Sequence, residues 1–129
     1  MTKIPTPTLP EAEGAETAKK KIYIAGKVTG EPQEECVAKF ASMKAKIEAL
    51  GFEAINPIEV VGDWQTPWNQ AMRMCIAKIT ECDAVVFLPC WTTSKGAKQE
   101  WEVSKMLDIP DFRGTQYGLQ NLKEHQWSS

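Results

Sequence analysis

The tightest constraint on this chain is residues 82–100, where an apolar run is followed by a loop rich in Thr and Ser and then a helix opening. Ala84-Val85-Val86-Phe87-Leu88 has the composition of a strand covered on both faces. Such a strand belongs in a sheet with helices above and below it. Ser94 stands where a helix N-cap is expected, and Gly96 and Ala97 keep the first turn bare. Two carboxylates bracket the unit: Asp83 before the strand and Glu100 in the second turn of the helix. A helix N-terminus offers free N–H groups and partial positive charge to an anion. The stretch is therefore expected to hold a polar ligand, with Glu100 facing it.

The rest of the chain supplies the layers. Residues 22–26 read as a first strand ending at Gly26, with Lys27-Val28-Thr29-Gly30 as its loop. Residues 33–50 read as a helix with Val37, Phe40, Met43, Ile47 and Leu50 on one face, and Gly51 closes it. Residues 52–55 form a second strand, ended by Asn56-Pro57. A strand–helix–strand order of this length implies parallel pairing with a right-handed crossover. Residues 58–67 read as a loop. A helix over 68–81 follows, with Trp68, Ala71, Met72, Cys75 and Ile79 on one face and Arg73 off it. After the 83–88 strand, a helix over 95–107 turns Ala97, Trp101, Ser104 and Leu107 inward. Residues 109–112 offer a fourth strand that Pro110 confines to an edge, and 118–126 a terminal helix. The alternation predicts an α/β fold: a three-layer, Rossmann-like or flavodoxin-like parallel sheet of four to five strands with helices on both faces. Ligands of such folds bind beyond the carboxyl ends of the strands, which draws 26–29, 56–57 and 88–94 around one crevice.

Composition narrows the chemistry. A chain of 129 residues predicts one domain over 21–129, preceded by a disordered tail over 1–20 that is rich in Thr, Pro, Glu and Ala. A net charge of −2 gives no global basic field, so no nucleic-acid polymer is expected as partner. Cys36, Cys75, Cys82 and Cys90 form no C-x-x-C pair and read as reduced, buried thiols of a cytoplasmic protein. His125 is the only histidine, so neither a zinc site nor a Ser-His-Asp triad is expected, and no metal or cofactor is called for. No run of about 18 apolar residues is present, so no membrane span or membrane partner is expected. Neither G-x-x-x-x-G-K-[ST] nor G-x-G-x-x-G occurs; Ala25-Gly26-Lys27-Val28-Thr29-Gly30 carries only two glycines. The remaining reactive groups are carboxylates, which can serve as base or nucleophile without metal or histidine. Attack of a carboxylate on an anomeric carbon, giving a covalent glycosyl intermediate, is chemistry that two carboxylates can run.

Ile22-Tyr23-Ile24-Ala25-Gly26-Lys27-Val28-Thr29-Gly30, Asn56-Pro57, the strand from Cys82-Asp83 to Pro89, and Trp91-x-x-Ser94-Lys95-Gly96-Ala97-x-x-Glu100 together resemble the nucleoside 2-deoxyribosyltransferase-like superfamily. The likeness is to a bacterial and phage branch and, more distantly, to the 2′-deoxynucleoside 5′-phosphate N-hydrolases. It covers roughly residues 21–109. The resemblance implies an enzyme that cleaves or transfers the N-glycosidic bond of a nucleoside or nucleoside 5′-monophosphate. It implies Glu100 as nucleophile, Asp83 as a carboxylate that positions substrate or protonates the leaving base, and Tyr23 as a tyrosine beside the nucleophile. Gly26 matches the loop that lets the nucleotide approach the backbone, and Ser94 a phosphate-contacting serine. The hydrolases carry an arginine in the first loop, where this chain has Lys27 and Thr29. Asn56, Arg73, Trp91, Gly96 and Ala97 complete the expected substrate-binding set. A homo-oligomer is also implied. A non-catalytic nucleotide-binding module on the same fold is the alternative, and an interaction protein using its tryptophans at an interface is a third possibility.

Overall fold

The computed structural model describes residues 19–127. The expected N-terminal tail falls, for residues 1–18, outside them. Four strands, β1 (Lys21–Ala25), β2 (Glu53–Ile55), β3 (Ala84–Phe87) and β4 (Asp111–Arg113), form one sheet in the order β2-β1-β3-β4. Every pairing is parallel. The central pair runs in register from Ile22↔Ala84 to Ala25↔Phe87. The α/β class and the parallel sheet agree with the expectation.

The two-residue period of β1 sorts its side chains between two cores. Ile22 and Ile24 join Phe40, Met43 and Ile47 of α1 (Gln33–Ala49), together with Leu122 of α5 (Gln116–Glu124). Tyr23 and Ala25 face the opposite way, onto Cys75 and Ile79 of α3 (Trp68–Ile79) and toward Val103 of α4 (Lys95–Met106). Helices therefore cover both faces, as an all-parallel sheet requires. All four residues of β3 are buried.

Two helical faces differ from the sequence expectation. On α1 the buried stripe is Cys36, Phe40, Met43 and Ile47, and Val37 is 38% exposed. Both Cys36 and Val37 lie one turn before Phe40, and the helix is set so that Cys36 enters the core and Val37 lines the cavity. On α4, Ala97, Glu100 and Ser104 are buried, while Leu107 follows the last turn and is 46% exposed. Residues 58–67 are not loop throughout, because α2 (Pro57–Val61) opens them. Asn56 caps α2, its side chain accepting the Ile58 N–H at 3.0 Å, Pro57 pre-sets the first turn, and Gly62 ends it with φ +79°. β4 lies at the sheet edge, as Pro110 dictates, with Pro110 supplying its carbonyl to Val85 N–H at 3.0 Å. Among the described residues no helix is long and apolar enough to cross a membrane.

Candidate functional site

The strand order places a switch point at β1 and β3. From β1 the chain crosses to β2 on one side, then returns past β1 to β3 on the other. The loops leaving the carboxyl ends of β1 and β3 thus diverge and open a crevice. A cavity of about 880 Å³ occupies it. Its walls are the β1–α1 loop from Gly26 to Glu31, the α2 helix, the Trp64 loop, the first turns of α3, and the start of α4. Tyr23 and Glu100 lie at its floor, both almost wholly buried.

Glu100 reaches the floor because α4 starts cleanly. Ser94 accepts the Ala97 N–H on its side chain at 3.1 Å and sets the first turn. Gly96 then lies against α3: a Cβ there would meet Met72 Sδ at 3.1 Å. This close approach presses the Glu100 side of α4 onto the sheet. Tyr23 donates its hydroxyl proton to Glu100 Oε2 at 2.9 Å across that packing. Burial pushes the Glu100 carboxyl up to about 8, against the opposing effect of the Tyr23 hydrogen bond. Burial first, then the charge of Glu100, raises Tyr23 well above the ordinary tyrosine value, so the phenol stays a donor. Cys75 adjoins this pair, and desolvation pushes its thiol up to about 11.

Gly26 is the other point of close approach. A Cβ on it would come within 2.7 Å of Leu88 Cδ1 and 3.1 Å of Phe40 Cζ, so only glycine lets the first loop fold down over the core. Lys27 lines the cavity with its ammonium 4.0 Å from Glu31, which also pairs with Lys39 at 3.4 Å.

The structure brings together Tyr23, Gly26, Lys27, Ser94, Gly96, Ala97 and Glu100 from the expected set. It does not bring Asp83, Asn56, Arg73 or Trp91 to the cavity wall. Asp83 precedes β3, and the cavity lies beyond the other end of that strand, roughly 13 Å away for four residues at about 3.3 Å each. There its carboxylate accepts the Lys21 N–H at 2.8 Å and ties the start of β1 to β3. Asn56 is spent on capping α2. Arg73 is exposed on the far side of α3. Trp91 packs on Phe87 and Trp101 with Arg113 over its ring, at 5.0, 6.0 and 5.1 Å respectively, and so fastens the β3–α4 connection to β4.

Sequence reasoning missed several wall residues. Trp68, Met72 and Cys75 read as one helix face, and their spacing alone does not separate a cavity wall from core. The face is longer than the sheet it covers, so its first turns overhang the strand ends and line the cavity. Trp64, Glu31, Asp63 and Lys95 also line it; Trp64 has the flat ring that stacks on a base, and Glu31 and Asp63 have only their loop positions to point to them.

A family model described as "Domain of unknown function (DUF4406)" matches residues 20–110. No curated protein matches the chain.

Proposed function

The chain belongs to the DUF4406 family, and we propose that it is an enzyme of the N-glycosidic bond, hydrolysing or transferring the glycosyl group of a nucleoside or nucleoside 5′-monophosphate. The observation that carries this reading is the buried Tyr23–Glu100 pair, 2.9 Å apart, at the floor of a cavity large enough for a nucleotide. The resemblance to the nucleoside 2-deoxyribosyltransferase-like superfamily supports it from the sequence side.

Glu100 Oε2 takes the Tyr23 hydrogen bond, which leaves Oε1 to meet the sugar. In the ionised carboxylate Oε1 attacks C1′, the C1′–N bond breaks with its electron pair moving to the base, and the base takes up a proton from solvent, which the water or second base that resolves the ester gives back. The glycosyl ester is then resolved by water or by a second base, returning Glu100 as carboxylate. Tyr23 orients the nucleophile and holds the negative charge on the carboxylate before attack and after release. The apolar surfaces of Trp68, Met72 and Cys75 line the wall beside that exchange. Ser94 and the bare first turn of α4 face the polar end of the substrate. The free thiols of Cys36, Cys75, Cys82 and Cys90 accord with a reducing, cytoplasmic setting. A homo-oligomer belongs to the same reading, by resemblance.

Release of free base from a panel of nucleosides and 5′-monophosphates, followed by chromatography, tests the reaction. Glu100→Gln should abolish release, and full activity in that variant would sink the mechanism. One observation favours a second reading, a nucleotide-binding module without turnover: with Asp83 at the far end of β3, Glu100 is the one carboxylate at the floor among the described residues, and Glu31 and Asp63 line the wall. Strong thermal stabilisation by a nucleotide that is never cleaved would select that reading.

A further inference from the structure

The charged side chains on the cavity wall differ in how far they are already answered. Lys27 sits 4.0 Å from Glu31, and Glu31 is shared with Lys39. Asp63 accepts the Gln65 N–H at 2.9 Å. Glu100 is bound by Tyr23. Lys95 differs, because among the described residues no carboxylate lies within salt-bridge distance of it. Its ammonium instead stands 4.5 Å over the ring of Trp68, itself a wall residue. An indole face holds a cation by its quadrupole and supplies no counter-charge. The long side chain is thereby kept against the wall with its positive charge unspent. The neighbouring Gly96 adds no side chain to shield it.

The geometry points to Lys95 as the residue by which the cavity selects a substrate bearing a phosphate monoester over the uncharged nucleoside, an inference that rests on the nucleotide reading above. A phosphate monoester carries a charge of about −1.5 to −2 near neutrality and three acceptor oxygens, which is the group an unanswered ammonium on a mostly apolar wall favours. Lys27, in the first loop where the similar hydrolases carry an arginine, is already offset by Glu31 and contributes less. Phosphate selection therefore sits on α4 rather than in the first loop.

The test is a tryptophan-fluorescence titration of the full chain with 2′-deoxynucleoside 5′-monophosphates and the matching nucleosides, in wild type, Lys95→Gln, Lys95→Arg and Lys27→Gln. Wild type should bind the monophosphate more tightly than the nucleoside. Lys95→Gln should cut the ratio of the two affinities by about 10- to 100-fold, Lys95→Arg should restore most of it, and Lys27→Gln should reduce it less. Equal wild-type affinity for both ligands, no binding of either, an unchanged ratio in Lys95→Gln, or the larger loss in Lys27→Gln would each overturn the assignment. Base release is measured separately. Tight, Lys95-dependent binding of a monophosphate that is never cleaved would defeat the N-glycosidic reaction while leaving the role of Lys95 intact.

Discussion

At the scale of single residues, Glu100 carries two opposed demands. A nucleophile must be ionised, yet burial holds this carboxyl at about 8 in the free protein. At neutral pH the protonated carboxyl is therefore the dominant form. If Glu100 attacks C1′, kcat/KM should rise about tenfold per pH unit below 8 and level off above it. A fall with rising pH through the same range would instead make Glu100 a proton donor. Stability should follow the opposite slope. Between the ordinary carboxyl value of 4.5 and about 8, the native state keeps a proton that the unfolded chain has released, so the native state loses ground as pH rises. The stabilisation is fully present below 4.5 and gone above about 8. Glu100→Gln keeps an acceptor for the Tyr23 hydroxyl and removes the titration. Urea unfolding should show it on the order of 4 kcal/mol more stable than wild type at pH 9, with little difference at pH 4.5. Equal stability of the two proteins at pH 9 would mean that the carboxyl is not held in a desolvated site.

At the scale of elements, position along a strand decides which of two similar carboxylates meets the cavity. Asp83 and Glu100 bracket one strand–loop–helix unit, and the sequence puts both at the expected site. A parallel strand has a ligand end and a closed end, and Asp83 stands at the closed one, bonded to the Lys21 N–H. Asp83→Ala should cost about 1–3 kcal/mol by leaving that backbone donor unpaired, and base release per folded molecule should stay at the wild-type rate. A large loss of release at full folding, judged by circular dichroism, would return Asp83 to the chemistry. The start of α4 was legible to the residue: Ser94 caps it, and Ser94→Ala should cost about 1 kcal/mol in thermal or urea unfolding. Less legible was the reach of a helix beyond the sheet. The spacing of Trp68, Met72 and Cys75 gives the inward face of α3, and spacing alone does not say where along the helix the strands stop. Asn56 shows the same limit, since a polar residue at the end of β2 reads equally as ligand contact or as the cap of a five-residue helix.

At the scale of the whole molecule, the four-strand parallel sheet was readable because hydrophobic period, turn residues and chain order all agreed. The contribution of the C-terminal segment was not. Residues after Ile109 read as an edge strand and a terminal helix, but with Pro110, Gly114 and Gly118 breaking the pattern they do not show which core they close. Each break has a place in the fold. Gly114 returns its N–H to Phe87 at 2.8 Å, and a Cβ on Gly118 would overlap the carbonyl of Arg113, so α5 turns back directly over the sheet. Leu122 is then fully buried against the Ile22 and Ile24 face, with Leu119 and Trp127 packed beside it. That face has α1 on one side and α5 on the other, and a parallel sheet tolerates no bare face. Leu122→Ala should therefore cost about 2–5 kcal/mol in urea unfolding. Ending the chain at Pro110 should do more, removing the edge strand and the second covering helix together. The shortened protein should lose its cooperative thermal transition and bind a hydrophobic dye, even though Tyr23, Ser94 and Glu100 are all retained. A cooperative transition near the wild-type temperature in the shortened chain would show that α1 alone closes the first core, and that the Tyr23–Glu100 floor is held without help from the far edge of the sheet.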